Sequence, residues 1–260
     1  MAILDAQNLT IKFGGLTAVS DFTLHMEQGD LVGLIGPNGA GKTTIFNMLT
    51  GIYKPTEGEI FFGGQSLKNK KPFQVTQMGI ARTFQNLRLF NELTVIDNIK
   101  VAHHLKVKYN VMGSIVQTPA YYVEETDIQQ KAEKMLEIFG LEYRKNELAK
   151  NLPYGEQRRL EIARAMATEP QLLLLDEPAA GMNPQESKHL MELIRWIKKE
   201  FSLTILLIEH HMDVVMGVCE RILVLDYGQT IAEGAPAEIK GNKRVIEAYL
   251  GDLGEESTDA

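Results

Sequence analysis

The run GPNGAGKTT at residues 36–44 constrains the fold of this chain more than any other stretch. It fits a G-x-x-x-x-G-K-[ST] pattern and directly follows LVGLI, an apolar strand candidate. Such a loop works only between a strand and a helix. Glycines let backbone N–H groups approach phosphate oxygens, and the helix start adds a favourable dipole. The nucleotide-binding set is therefore Gly36, Pro37, Asn38, Gly39, Ala40, Gly41, Lys42, Thr43 and Thr44. Lys42 would then reach the β- and γ-phosphates, and the Thr43 hydroxyl would ligate Mg²⁺.

Further β-rich runs recur along the chain: GEIFF (58–62), LLLLD (172–176), TILLIE (204–209) and RILVLD (221–226). Several are apolar on both faces, as strands buried in a largely parallel sheet must be. Between them lie helical patterns, notably 186–200, where Leu190, Leu193, Ile194 and Ile197 recur at three and four residues. The alternation predicts an α/β phosphate-loop core, and residues 3–30 read as a small antiparallel β layer with shorter strands. From about 86 to 160 the strand signals fade. DIQQKAEKMLEIFG (127–140) is helical and closed by Gly140, while 106–126 reads as an insertion or loop. The expected division is a core of 1–85 and 161–250, an inserted helical lobe of 86–160, and an acidic tail of 251–260.

LLLLDEP at 172–178 is an apolar strand that ends in two carboxylates. Asp176 at the strand tip suits Mg²⁺, and Glu177, one residue on, is placed to orient or deprotonate an attacking water. These elements alone suit a GTPase or a small kinase equally well. Composition narrows the partners. A formal net charge of −7 disfavours nucleic acid, and the single cysteine, Cys219, forbids an intrachain disulfide and reads as a small core residue. The start lacks the basic-then-apolar layout of a signal peptide. Apolar runs such as LLLL (172–175) fall far short of the ~20 residues that span a bilayer. The pairs His103–His104 and His210–His211 have no cysteine or spaced carboxylate to complete a zinc set. Arg158, Arg159 and Arg164 read as a solvated helix face.

Taken in order, GPNGAGKTT, Gln85 in RTFQN, LPYGEQRRLEIARA (152–165), LLLLDEP and His210 in LLIEHH resemble the ATPase subunits of ABC systems over residues 1–250. The resemblance implies that two such subunits sandwich two ATP molecules. The helix opened by Pro153, Tyr154, Gly155 and Glu156 then faces the γ-phosphate held by the other subunit. It also implies that Phe13 stacks on adenine, that Gln85 meets Mg²⁺ or the attacking water, and that His210 contacts the γ-phosphate. Pro153 stands where the family has serine, Tyr154 where it has glycine, Glu156 where it has glutamine, and Asn183 where it has aspartate.

Within the family, GIARTFQNLRLFNELTVIDNI, DEPAAGMNP, IEHHMDVV and the ending VIEAYLG resemble the LivG-like subunits of importers for branched-chain and other hydrophobic amino acids. That likeness implies an ATPase on the cytoplasmic face of the cell membrane. Its partners are permease subunits, a like or second ATPase chain, and, indirectly, an extracytoplasmic binding protein. Related ATPases of urea or amide import and of lipopolysaccharide export share much of the pattern. A soluble non-transport ABC ATPase is the remaining alternative. Cargo choice belongs to the other subunits.

Overall fold

The computed structural model describes residues 2–107 and 118–255. The strands in chain order are β1 (Ala2–Phe13), β2 (Leu16–Glu27), β3 (Leu31–Ile35), β4 (Glu57–Phe62), β5 (Gln65–Ser66), β6 (Ile80–Arg82), β7 (Leu172–Asp176), β8 (Thr204–Ile208), β9 (Arg221–Asp226) and β10 (Gln229–Gly234). The α-helices are α1 (Lys42–Leu49), α2 (Pro72–Gln77), α3 (Val95–His103), α4 (Pro119–Ile138), α5 (Tyr154–Met166), α6 (Pro184–Glu200), α7 (Met212–Val218), α8 (Pro236–Lys240) and α9 (Lys243–Glu255). No described helix is long and apolar enough to cross a membrane.

The chain forms two compact units, one of residues up to 82 and from 171 onward, the other of residues 83–170. The boundary expected at 160/161 would cut through α5, whose backbone hydrogen bonds make it one rigid piece, so the second unit runs on to Pro170. The first unit breaks directly after β6, because Ile80, Ala81 and Arg82 pair with Leu172, Leu173 and Leu174 of β7. The expected tail overlaps α9, which is helical to Glu255; residues 256–260 lie outside the described residues.

In the first unit, one sheet runs β10-β9-β3-β8-β7-β6 and the other β2-β1-β4-β5. The pairs β9–β3, β3–β8, β8–β7 and β7–β6 are parallel, and only the β9–β10 hairpin is antiparallel. Every residue of β3, β7 and β8 is buried, as their unbroken apolar runs require. The second sheet is antiparallel throughout, and its β1 and β2 are twelve residues each, longer than the sequence suggested. Phe22, Leu24 and Met26 from that sheet share one core cluster with Ile45, Phe46 and Leu49 of α1 and with Leu174, Leu206 and Leu223 of the parallel sheet. The helix that follows the phosphate loop is thus locked into the core on its apolar side. α6 buries Leu190, Ile194 and Ile197, while Leu193 is half-buried. Asn183 caps it: its Oδ1 accepts from the Glu186 N–H at 2.9 Å, and its own N–H donates to Glu186 at 2.9 Å. Asparagine caps as well as aspartate does, which gives the departure at 183 a local role.

The second unit is helical. α3, α4 and α5 pack on one another, burying Ile99, Ala132, Leu136, Leu160 and Ala163. α4 starts at Pro119, with Thr118 as its cap, so residues 119–126 are helix and not loop; residues 108–117 of the expected insertion lie outside the described residues. Buried Asn98 ties the preceding turn, accepting from the Phe90 N–H at 2.9 Å and donating to Phe90 and Thr94 carbonyls.

Of the three arginines expected on a solvated face of α5, Arg159 and Arg164 are half-buried and Arg158 is not solvated at all. Arg158 is 2% exposed and pairs with equally buried Glu161 at 3.2 Å. It also donates to the carbonyls of Phe84 (2.7 Å) and Gln85 and to the Tyr154 hydroxyl (3.1 Å). Glu161 in turn accepts from the Arg88 N–H at 3.2 Å. Burial pushes the Glu161 carboxyl above its ordinary range and the Arg164 guanidinium below its own. A pair this deep has lost its hydration, so each partner depends on the other. Arg158→Ala therefore costs about 3–5 kcal/mol of stability in denaturant titrations. Because the folded-state pKa of Glu161 is raised above the unfolded value of about 4.5, stability is lost as pH rises through the folded value. Arg158 draws the Glu161 pKa down, so its removal raises that pKa further and the variant loses more stability as pH rises. The Arg158→Ala deficit should accordingly be smaller at pH 5 than at pH 8.

Candidate functional site

β3, β8 and β7 are adjacent and parallel, so their C-terminal ends meet at one edge of the sheet. That edge carries the phosphate loop after Ile35, the acidic pair at Asp176 and Glu177, and the Glu209–His210 turn. Open parallel sheets take their ligands at this end.

The loop leaves β3 through Gly36, at φ 150°, where a Cβ would lie 2.1 Å from the Leu225 carbonyl oxygen. Gly39 is also left-handed, at φ 77°, yet nothing lies within 4 Å of its would-be Cβ. Lys42 is buried and donates from Nζ to the carbonyls of Gly36 and Pro37, both at 2.7 Å, closing the loop on itself. Thr43 and Thr44 stand on the first turn of α1, with the Thr43 side exposed. The Ala40 carbonyl accepts from the Gly228 N–H at 3.0 Å, so the β9–β10 turn braces the loop from behind.

Asp176 closes β7 and is 1% exposed. Its Oδ2 lies 2.7 Å from the Arg82 guanidinium, which also donates to Asn47 Oδ1 at 2.6 Å and stands 5.4 Å over the Phe46 ring. Arg82 therefore ties the Asp176 carboxylate to α1. Glu177 takes φ 49°, a left-handed conformation that costs a non-glycine residue about 1 kcal/mol. The backbone turn separates two consecutive carboxylates: Asp176 meets Arg82, whereas Oε1 of Glu177 lies 2.7 Å from Nε2 of His210. The Glu177 N–H donates to the Ile208 carbonyl at 2.9 Å, holding this turn to the end of β8. The sequence reading did not pick out Arg82, Asn47 or Glu209. Arg82 and Asn47 have partners remote in the chain, Glu209 takes one of its donors from Ala179, and no local pattern marks these contacts.

Phe13 ends β1 and is 45% exposed, so it is no core aromatic. Its ring meets exposed Tyr53 edge to face, centroids 5.3 Å apart. Cys219 is buried, and burial pushes its thiol up to about 12.

Gln85 and the helix start at Pro153–Glu156 belong to the second unit. Gln85 has its carbonyl held by Arg158 of α5. Pro153 is the N-cap of α5, at φ −55° and ψ 150°, and offers no side-chain acceptor to the first turn. Glu156 would oppose an anion at this helix end, but its carboxylate is engaged by the Tyr143 hydroxyl at 2.8 Å and Arg144 at 3.2 Å, with Arg159 at 3.9 Å.

The ABC transporter family model matches residues 19–180, and the branched-chain amino acid ATP-binding cassette transporter model matches residues 229–254. The high-affinity branched-chain amino acid transport ATP-binding protein LivG of Salmonella typhimurium is 48% identical over 250 residues, covering 96% of this chain and 98% of LivG. MJ1267, an ATP-binding cassette of an ABC transporter solved in its ADP conformation, is 31% identical with a TM-score of 0.84, over 96% of this chain and 99% of that one. The cassette MJ0796, solved as a dimer in a post-hydrolysis state with ADP and Pi, is 25% identical with a TM-score of 0.75, over 90% and 98%. The chain belongs to the ABC transporter family, as one of its ATP-binding cassettes. It is an ABC ATPase, with the α/β fold expected of one.

The two loop glycines separate steric from conformational cost. Gly36→Ala drives a methyl into backbone and lowers folding stability by about 3 kcal/mol, whereas Gly39→Ala bears only the left-handed penalty of about 1 kcal/mol. Denaturant midpoints of the two variants measure the difference.

Proposed function

We propose that this chain is the ATP-hydrolysing subunit of an importer for branched-chain or other hydrophobic amino acids. The observation that carries the hydrolytic part is the 2.7 Å contact of Glu177 with His210, at the sheet edge that also carries the phosphate loop. The cargo rests on the extent of the likeness to LivG.

Lys42 and the loop N–H groups bind the β- and γ-phosphates of ATP, and Phe13 stacks on adenine. Glu177 accepts a proton from the attacking water or orients it, and His210 holds Glu177 while contacting the γ-phosphate. Thr43 and Asp176 would hold Mg²⁺. The hydroxyl of Thr43 and the carboxylate of Asp176 are hard oxygen donors of the kind magnesium takes, and both leave the same edge of the sheet. When bound, the metal neutralises charge on the β- and γ-phosphates. The Pro153–Glu156 helix start serves the nucleotide of a second ATPase chain, like or unlike this one. There Gly155 and the first-turn N–H groups do the work that serine does elsewhere in the family. Two subunits closing around two ATP molecules pull permease subunits between inward- and outward-facing states, and hydrolysis reopens the pair. This places the chain peripherally on the cytoplasmic face of the membrane.

The reading is tested by tagging the chain, isolating it from gently solubilised membranes and identifying what co-purifies. Multi-span permeases with a second ATPase chain, and ATP hydrolysis stimulated by a binding protein loaded with leucine or valine, are expected. Soluble partners alone would overturn the transporter reading, and stimulation only by urea or amides would move the cargo. Lys42→Ala should abolish ATP binding. Glu177→Gln should bind ATP but hydrolyse it about 10²- to 10⁴-fold more slowly, and should run as an ATP-trapped dimer in gel filtration. Wild-type turnover in Glu177→Gln would remove this residue from the chemistry.

A further inference from the structure

Glu209 is a buried carboxylate to which the hydrolytic scheme above gives no task. It follows β8 and is 1% exposed. Its Oε1 accepts from the Ala179 N–H at 2.7 Å. Its Oε2 accepts from the N–H groups of His210 at 3.1 Å and His211 at 3.3 Å. A carboxylate is costly to bury unless its oxygens are satisfied, and here three backbone donors converge on it.

The placement of those donors matters more than their number. Ala179 lies two residues after Glu177, and His210 is the residue that meets Glu177. One side chain therefore fastens both strands of the turn pair, just behind the 2.7 Å contact between Glu177 and His210. Together with the bond from the Glu177 N–H to the Ile208 carbonyl, this closes a small ring. Its corners are Glu177, Ala179, Glu209 and His210. Such a ring fixes the backbone that carries the imidazole relative to the Glu177 turn.

The charge type is also dictated locally. All three partners of Glu209 are donors, so the side chain must accept at both oxygens. A glutamine accepts at only one, and its NH₂ would face an N–H at the other. An apolar residue would leave all three donors buried without an acceptor.

We propose that Glu209 is a positioning residue for ATP hydrolysis: it fixes the His210 turn against the Glu177 turn without touching the nucleotide. The proposal rests on the reading that Glu177 and His210 serve hydrolysis.

The test uses the complex isolated through the tagged chain, carrying Glu209→Gln, Glu209→Asp, His210→Ala or the double substitution Glu209→Gln/His210→Ala. Displacing a reacting group by about 1 Å costs on the order of 10²-fold in rate. Glu209→Gln should therefore lower kcat about 10- to 100-fold, with the KM for ATP and the Kd of a fluorescent ATP analogue within about twofold of wild type. The double substitution should be no slower than His210→Ala alone, because both changes break one link. Glu209→Asp keeps the charge and both acceptors on a shorter arm, and should recover part of the lost kcat. Should Glu209→Gln fail to fold, Glu209→Asp alone should still lower kcat at unchanged Kd. Wild-type kcat in the folded variants, losses that multiply in the double substitution, or a parallel loss of kcat, Kd and thermal stability would each overturn the proposal. Full hydrolysis in both His210→Ala and Glu177→Gln would instead overturn the underlying reading of the site.

Discussion

The parallel register of β3, β8 and β7 is the constraint on which the site depends. Apart from Asp176, which closes β7, these strands offer the site almost no polar side chain. What they supply is alignment: the phosphate loop, the Asp176–Glu177 pair and the Glu209–His210 turn all leave the sheet at one edge, in adjacent lanes about 4.8 Å apart. A one-residue slip of β7 would turn Asp176 to the opposite face and separate it from Arg82. Catalytic geometry in this unit is thus inherited from strand pairing before any side chain is considered.

Charge is handled in both units by pairing it under cover. Arg82 with Asp176 and Arg158 with Glu161 are ion pairs in which both partners are nearly inaccessible, while Glu209 is met by main-chain N–H groups alone. Such groups add little net stability, since desolvation offsets most of the attraction. Their effect is on geometry, because a buried charge tolerates few arrangements. Each one pins a segment that carries a nominated functional residue: Arg82 pins Asp176, Arg158 pins the backbone at Gln85, and Glu209 pins the turn at His210.

The sequence was legible where chemistry depends on short-range order. The phosphate loop, the strand ending in Asp176, and the apolar strands β3, β7, β8 and β9 could all be read directly, because loop sterics and two-sided burial leave local marks. β6 has only three residues and β10 is mostly polar, so neither has a pattern to find. Residues 119–126 read as loop because tyrosines and a proline obscured a helix that a Thr-Pro start initiates. The arginines of α5 looked solvated because arginine usually is. What buries Arg158 is a set of carbonyls more than seventy residues earlier, which no window on the sequence contains. Glu209 was hidden for the same reason, since half its function lies at Ala179.

The sheet order also bears on how the chain is made. β3 comes early, but its two neighbours, β8 and β9, are synthesised near the end, and Gly228, which holds the Ala40 carbonyl, comes later still. As the polypeptide emerges from its N-terminus, the phosphate loop exists for most of translation as a glycine-rich segment without a lane to sit in. Competence to hold nucleotide therefore arrives late and all at once, and a nascent chain stopped short of β9 carries the complete motif without the site.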